Sequence, residues 1–493
     1  MKSKEFTKNL QEIGEVGHTS RASKSIVYIS GLPSVRANEK VITEDGSVGM
    51  VYSITDEGIE ALMFQSEDRI EAGKRVARTG DLFNIPVSDN LLGRVVDPLT
   101  KPLDGEGPIR GEKKMMRIER EAPGITERVE VNRPLETGVT AVDLMVPVGY
   151  GQREVIVGDA KTGKTTLLLQ AISNQVKKGT VCIYVGISKE SSALKEVEDY
   201  LKGVNAFEEV VMMVTTSNQN PTMHYIAPLS GMSVAEYFRD KGNDVLIVFD
   251  DLSNHAKAYR EISLLLKNPP GREAYPGDIF HLHGALIERA GNIKDGEGGE
   301  VSITALPVAE TLENDISGFI QTNLLSMTDG HIFFDINELK KGRNPAINIS
   351  LSVSRAGNQT RDSIDKDVAG RIRSRLVNYR KVLKVNQFGA ELSEENRKSL
   401  EFGRRIEVLL GQGTHELIRR TEQLFLFGLL LSDFWEDVQM KTMEDEVRKI
   451  LKKIRDGVVV DPRDLEEKID QMESVDELIP FCKKIAPELE KYL

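Results

Sequence analysis

The residues best suited to chemistry stand in one short string, Gly158-Asp159-Ala160-Lys161-Thr162-Gly163-Lys164-Thr165, with a strand candidate at 153–157 before it and a helix-forming run at 166–176 after it. Glycines at those two positions let backbone amides curl around phosphate oxygens at a helix start. Lys164 can then reach outer phosphates, and the Thr165 hydroxyl can ligate magnesium. A chance glycine turn would not bring both a strand and a helix with it, so the string reads as a phosphate-binding loop.

A second candidate is the apolar run 245–249 followed by Asp250 and Asp251. The carboxyl end of a parallel strand is where phosphates gather, and Asp250 there would hold magnesium through water. An apolar strand ending in Asp is common by itself, and its pairing with the loop gives it weight. Arg355 closes a third apolar run, 347–354, with Ser352 and Ser354 beside it. Alone, such an arginine is equally a surface residue paired with a nearby carboxylate.

These groups need a scaffold, and the pattern supplies three parts. From about residue 17 to 71, β-rich runs at 25–29, 39–43, 48–54 and 59–64 alternate with turn clusters at 44–46 and 56–58, which predicts a small β-barrel. From 77 to 361 strands alternate with helices. Candidate strands at 154–157, 181–187, 209–214, 245–249, 301–306, 330–334 and 347–353 are nearly continuous in apolar character, as a parallel sheet covered on both faces demands. Beyond 361 the amphipathic runs 362–385, 393–410, 415–431, 442–455 and 462–472 predict a helical domain. The expected boundaries are therefore 1–76, 77–361 and 362–493, a multidomain α/β chain. The glycine-rich patch 295–300 reads as a loop tip.

Composition narrows the classes. The 493 residues carry 65 Lys+Arg against 77 Asp+Glu, a net charge of -12, which disfavours a phosphate backbone as partner. Two cysteines, Cys182 and Cys482, have no metal-type spacing and fit a reducing compartment. The start Met-Lys-Ser-Lys-Glu-Phe has no apolar stretch of signal-peptide kind, and the longest apolar run, 424–431, is too short to cross a bilayer. Any membrane role must come through partners.

With the loop 158–165, the run 249–253 (FDDLS), the segment 269–278 (PPGREAYPGD) and 352–355 (SVSR), the chain resembles the alpha subunits of rotary, F-type ATP synthases, in one order from about residue 14 to 435. The resemblance implies a β-barrel, a RecA-like nucleotide-binding domain and a helical domain. It implies a ring in which the chain alternates with beta subunits around a gamma-type shaft, on the cytoplasmic face of a cell membrane, serving a membrane ion-channel sector indirectly. ATP or ADP would lie on Gly158, Asp159, Ala160, Lys161, Thr162, Gly163, Lys164, Thr165 and Thr166, with Pro345 and Gln412 at the adenine and Mg2+ on Thr165 and Asp250. Arg355 would reach into the neighbouring active site, with Ser326 also counted among the catalytic residues. The segment 269–278, otherwise a rigid proline-rich loop, would bear on the shaft.

Departures from the family pattern matter as much. Catalytic beta subunits place a water-polarising glutamate shortly after the strand that follows the loop, whereas here the matching position is Lys189, with Glu190 one residue further on. A protonated lysine cannot accept a proton from water. Ala160-Lys161, Asn344-Pro345 and the single glutamine of 411–414 also differ from the usual alpha pattern and bear on nucleotide affinity or base choice. About a dozen residues precede the barrel where the family has a longer stalk-binding extension, so the resemblance does not by itself carry attachment to a delta-type stator subunit. Two other classes compete. A self-sufficient beta-type or export ATPase is opposed by Lys189, and a hexameric nucleic-acid motor by the acidic balance and the lack of a basic, aromatic-laced stripe.

Overall fold

A computed structural model describes residues 3–23, 25–64, 71–296, 298–387 and 393–493. It divides into two compact units. The first comprises Met1–Val129, Val176–Thr311 and Asp315–Thr328, and the second Glu130–Gln175, Leu312–Asn314 and Asp329–Leu493.

The first unit opens with a closed antiparallel barrel. The predicted β-rich runs form Ile26–Ser30, Glu39–Thr43, Val48–Thr55 and Gly58–Met63, and two further strands, Val16–Ser23 and Arg75–Leu82, complete the ring by pairing with each other. Val27, Ile29, Val41, Val51, Ala61 and Val76 fill the interior from alternate positions. The rest of the unit is a parallel sheet in the order Arg94–Val96, Val210–Thr216, Val181–Lys189, Val245–Asp250 and Glu300–Thr311, with Gly291–Lys294 added antiparallel to the last. Within the predicted loop tip 295–300, Glu297 lies outside the described residues, and Glu300 already belongs to a strand.

Helix Pro221–Arg239 covers this sheet and is buried along its whole length, including the carboxylate of Glu236. That charge is met by Arg289, 2% exposed, whose Nε and Nη2 donate to Glu236 at 2.9 and 2.8 Å, while its Nη1 donates to the Ile118 carbonyl at 2.7 Å. Arg120 adds a third donor to Glu236 at 3.1 Å.

In the second unit, Glu154–Asp159 and Gly330–Phe334 pair in parallel and Val353–Ser354 joins antiparallel. The strand expected over 347–353 does not form as such. Asn348 starts a turn, accepting from Leu351 N and Ser352 N through its carbonyl and from Ser350 N through its side chain, which leaves only Val353–Ser354 extended. The helical domain follows as Ser363–Gln387, Glu394–Leu410, Arg420–Leu431, Met440–Arg455, Pro462–Asp470 and Val475–Glu490. The run expected from 415 becomes helical only at Arg420, where Glu422 accepts from the Arg419 amide at 3.0 Å and caps the start. Arg420 ties three helices and the chain before them, donating to Asp365, to Asp362 at 2.9 Å and to Asp470 at 2.6 Å. Among the described residues, no helix is long and apolar enough to cross a membrane.

Removing one partner of a buried ion pair leaves an uncompensated charge, at a cost of about 3–5 kcal/mol. Arg289→Leu should therefore lower the thermal midpoint of the chain clearly, and adding Glu236→Leu should restore part of the loss, a non-additivity that differential scanning calorimetry of the single and double variants would measure.

Candidate functional site

The phosphate loop leaves the strand Glu154–Asp159 and enters the helix Lys164–Lys177. Gly158 pairs in register with Phe334, and a Cβ on it would stand 2.5 Å from the Phe334 carbonyl oxygen, so the strand can pass only as glycine. Gly163 takes φ +102°, in the region closed to side chains. The loop is braced from within. Thr162 Oγ1 donates to the Asp159 carbonyl at 2.7 Å, and the Asp159 carboxylate accepts the Asn314 amide at 3.0 Å, while Asn314 Nδ2 donates to Asp335 at 2.7 Å. Lys164 is buried, with Nζ donating to the carbonyls of Gly158 at 2.8 Å and Asp159 at 2.5 Å. Ala160 and Lys161 form the exposed tip, and Thr165 and Thr166 are half-buried in the first helical turn. A glycine cradle, a helix start and a lysine inside the curl fit anionic phosphate oxygens.

Pro345 and Gln412 line one cavity of about 540 Å³, together with Arg343, Arg380, Arg404 and Glu407. Arg343 is ion-paired to Glu338 and Glu407. Gln412 is held by its own chain: its Nε2 donates to the carbonyls of Gly138 and Glu416, both at 2.6 Å, and its Oε1 accepts the Thr140 amide at 3.0 Å. Its position on the cavity wall is thus fixed, and its side-chain donors are engaged with backbone.

Asp250 ends the strand Val245–Asp250 in the first unit, with Asp251 next to it, both buried. Lys189, from the adjacent parallel strand, lies against them, its Nζ 2.6 Å from Asp250 Oδ1 and 3.3 Å from Asp251 Oδ2. Its direction comes from an irregularity at Ser188, which has φ +53° and interrupts the register between Gly186 and Lys189; such bulges re-aim side chains. The bend is secured by Ser188 N donating to Thr215 Oγ1 at 2.9 Å and by Ser217 N donating to the Lys189 carbonyl at 2.9 Å. Tyr184 Oη donates to Asp250 Oδ2 at 2.8 Å. Burial works against the Lys189 charge, but Asp250 and Asp251 outweigh it and hold the ammonium above the ordinary lysine value. Burial also raises the Asp251 carboxyl, against the pull of Lys189. Glu190 is exposed and begins the helix Ser191–Gly203. Each Asp250 oxygen thus meets one donor of the chain itself, Lys189 on Oδ1 and Tyr184 on Oδ2.

Arg355 is exposed just after Val353–Ser354, and its backbone is clamped: its N–H donates to the Asp329 carbonyl at 3.0 Å. Ser354 Oγ donates to the Pro147 carbonyl at 2.6 Å and accepts from Gln152 Nε2 at 3.0 Å and Gly357 N at 3.1 Å. Ser352 Oγ accepts Phe333 N at 2.9 Å. Ser326 is exposed near the end of the helix Phe319–Met327, in the first unit, with its hydroxyl on the Asn323 carbonyl. Sequence reasoning missed two groups here. Asn314 braces the loop from a distant segment, and Glu154 sits fully buried beneath the Arg355 segment, sharing Gln152 with Ser354. Neither carries a local signal.

Comparisons with known proteins give the family. Residues 138–354 match the family described as "ATP synthase alpha/beta family, nucleotide-binding domain", and 362–480 match "ATP synthase alpha/beta chain, C terminal domain". A protein of Dictyoglomus turgidum named "ATP synthase subunit alpha" is 40% identical over 451 residues, covering 92% of this chain and 88% of its own. Proteins of the same name from Acetivibrio thermocellus (39%, covering 98% and 95%) and Mycoplasmopsis synoviae (38%, covering 97% and 91%) are similar to it along nearly their whole lengths.

Burial, opposed by the Gln152 hydrogen bond and reinforced by the charge of Asp329, pushes the Glu154 carboxyl well above the ordinary glutamic value. A raised carboxyl contributes stability in full below its unfolded-state value and loses it as pH rises through the folded one. Wild type should therefore lose thermal stability faster than Glu154→Gln as pH rises above the ordinary glutamic range, and melting curves of the variant would show a flatter profile with pH.

Proposed function

The chain belongs to the alpha-subunit family of ATP synthases, and on that premise we propose that it is a non-catalytic, nucleotide-binding subunit of the soluble sector of a rotary ATP synthase, which lends Arg355 to the active site of a neighbouring catalytic subunit. The observation that carries the first half is Lys189. At the position where a catalytic chain would place a water-polarising glutamate, this one has an ammonium paired to two carboxylates and held above its ordinary value. It cannot take a proton from water.

The second half is supported by Arg355, exposed at the end of a segment whose backbone is pinned by Ser354 and Asp329. A rigid mount with a free planar fork is what stabilisation of a spreading phosphoryl charge requires. In this reading the barrel, whose last strand runs on to Leu82 past the expected boundary at 76, the nucleotide-binding domain up to 361 and the helical domain (362–493) take the usual places in a ring alternating with beta subunits around a gamma-type shaft. The subunit acts at the cytoplasmic face of a membrane whose ion-channel sector it serves indirectly, with contact to a delta-type stator subunit as part of the same proposal. ATP or ADP is held on the loop 158–166, with Pro345 and Gln412 toward the base. Ser326 is the lesser candidate beside Arg355.

Arginine fingers contribute about a thousandfold or more to rate. In the reconstituted complex, Arg355→Ala and Arg355→Lys should leave assembly and nucleotide binding intact while steady-state ATP turnover falls by about two orders of magnitude or more; near-wild-type turnover in an assembled Arg355→Ala complex would refute the trans-acting role. The purified chain alone should release phosphate far below the usual enzymatic rate of about 1 per second, and Lys164→Ala should weaken its nucleotide binding while the assembled complex keeps part of its turnover.

A further inference from the structure

We propose that Asp143 is a positioning residue for the base side of the nucleotide site: from outside the cavity it fixes the loop 411–418 that forms part of the wall, and so sets the affinity for the base without touching the ligand. The inference rests on the nucleotide-binding reading above and concerns residues of the second unit alone.

Both oxygens of the Asp143 carboxylate accept from one turn. Oδ1 accepts Thr137 N at 2.8 Å and Thr137 Oγ1 at 2.6 Å, and Oδ2 accepts Gly138 N at 2.9 Å. Two backbone amides on two different oxygens call for a carboxylate, because the NH2 of an asparagine would face one of those N–H donors. The turn holds Gly138 at φ +76°, where a Cβ would stand 2.9 Å from Leu417 Cδ2, so the loop lies directly against this glycine. Asp143 Oδ2 also accepts Gln423 Nε2 at 3.1 Å, from the helix Arg420–Leu431 that follows the loop.

Two paths lead from Asp143 to the wall. The Gly138 carbonyl accepts Gln412 Nε2 at 2.6 Å and Ile418 N at 3.0 Å, while Gln423 Nε2 also donates to the Ile418 carbonyl at 2.9 Å. Gln412, Gly413, Glu416 and Ile418 line the cavity of about 540 Å³, and Asp143 does not. The loop has no helix or strand of its own, so these anchors decide where its wall atoms stand. A separate anchor ties it to the phosphate site. Gln170, in the helix that begins at Lys164, donates through Nε2 to the carbonyls of Gly413 and Glu416, both at 3.0 Å. That bond is independent of Asp143, so a change at Asp143 should loosen the base side and spare the phosphate loop.

The test is equilibrium binding of ATP and of inorganic tripolyphosphate, each with magnesium, to the purified full-length chain of wild type and Asp143→Asn. ATP reads the phosphate loop and the base side together, and tripolyphosphate reads the loop alone. Asp143→Asn should weaken ATP binding about tenfold or more while tripolyphosphate binding stays within about threefold of wild type. Gln423→Met, which breaks one of the two paths, serves in its place if Asp143→Asn does not fold, and should lower the ratio of ATP to tripolyphosphate affinity in the same direction. Equal weakening of both ligands marks a merely structural role and overturns the proposal, as does an unchanged ratio in whichever variant is measured. Those outcomes leave the nucleotide-binding reading standing. Absence of ATP binding by wild type overturns this inference and that reading together.

Discussion

Two carboxylates side by side at the end of a buried strand cannot both keep their charge unless a cation is brought to them, and in this chain the cation comes from the neighbouring strand. Lys189 meets Asp250 and Asp251 only because the strand Val181–Lys189 breaks register at Ser188. With an unbroken register the alternation of side chains would carry residue 189 to the other face of the sheet. The bulge, the ammonium and the aspartate pair are thus one device, in which the protonated lysine at this end of the sheet cannot serve as a base.

The same rule, that a charge removed from water must find a partner, organises the surrounding scaffold. Glu236 lies within a helix buried from end to end and is held by Arg289 and Arg120. In the second unit Arg420 gathers Asp362, Asp365 and Asp470. These groups add little net stability over a well-packed apolar alternative, but they are intolerant of losing one member, which makes them determinants of geometry. The phosphate loop uses neutral bonds for the same purpose, since Asn314 joins Asp159 to Asp335 and so ties the loop to the strand next to it.

What was legible in the sequence is what is local in the chain. The loop 158–165 has its glycines, lysine, strand and helix within two dozen residues, and the glycines prove necessary for the backbone, Gly158 against Phe334 and Gly163 at positive φ. Apolar runs find the buried parallel strands because burial on both faces leaves no other pattern. The β-rich runs miss Val16–Ser23 and Arg75–Leu82, where polar residues alternate with few apolar ones, and the helical reading misses Val475–Glu490, which contains Pro480 and Pro487. The strand expected at 347–353 fails for a local reason as well, since the side chain and carbonyl of Asn348 offer the backbone a turn in place of a ladder. The identity of Lys189 was visible, but its partners were not. Which side chain faces Asp250 depends on a bulge at a serine with positive φ, and serine carries no compositional mark of that conformation.

Lys189 and Arg355 illustrate how burial decides what a cation can do. Each is a cation at the end of a strand, yet Lys189 is half-buried with its charge met by two carboxylates, while Arg355 is exposed, with its backbone rather than its guanidinium fixed. A paired charge inside a protein has little electrostatic effect beyond its partners. An arginine on a rigid backbone mount keeps its donors for whatever anion approaches, and pays little ordering entropy when it arrives. The clamp through Ser354 is therefore as much part of the arginine site as the guanidinium. Ser354 Oγ has a donor bond to Pro147 and accepts two others, so replacing it would free the segment without touching the arginine itself. Burial of one cation and exposure of the other is the physical basis of the proposal that this chain is silent in its own site and acts in a neighbouring one.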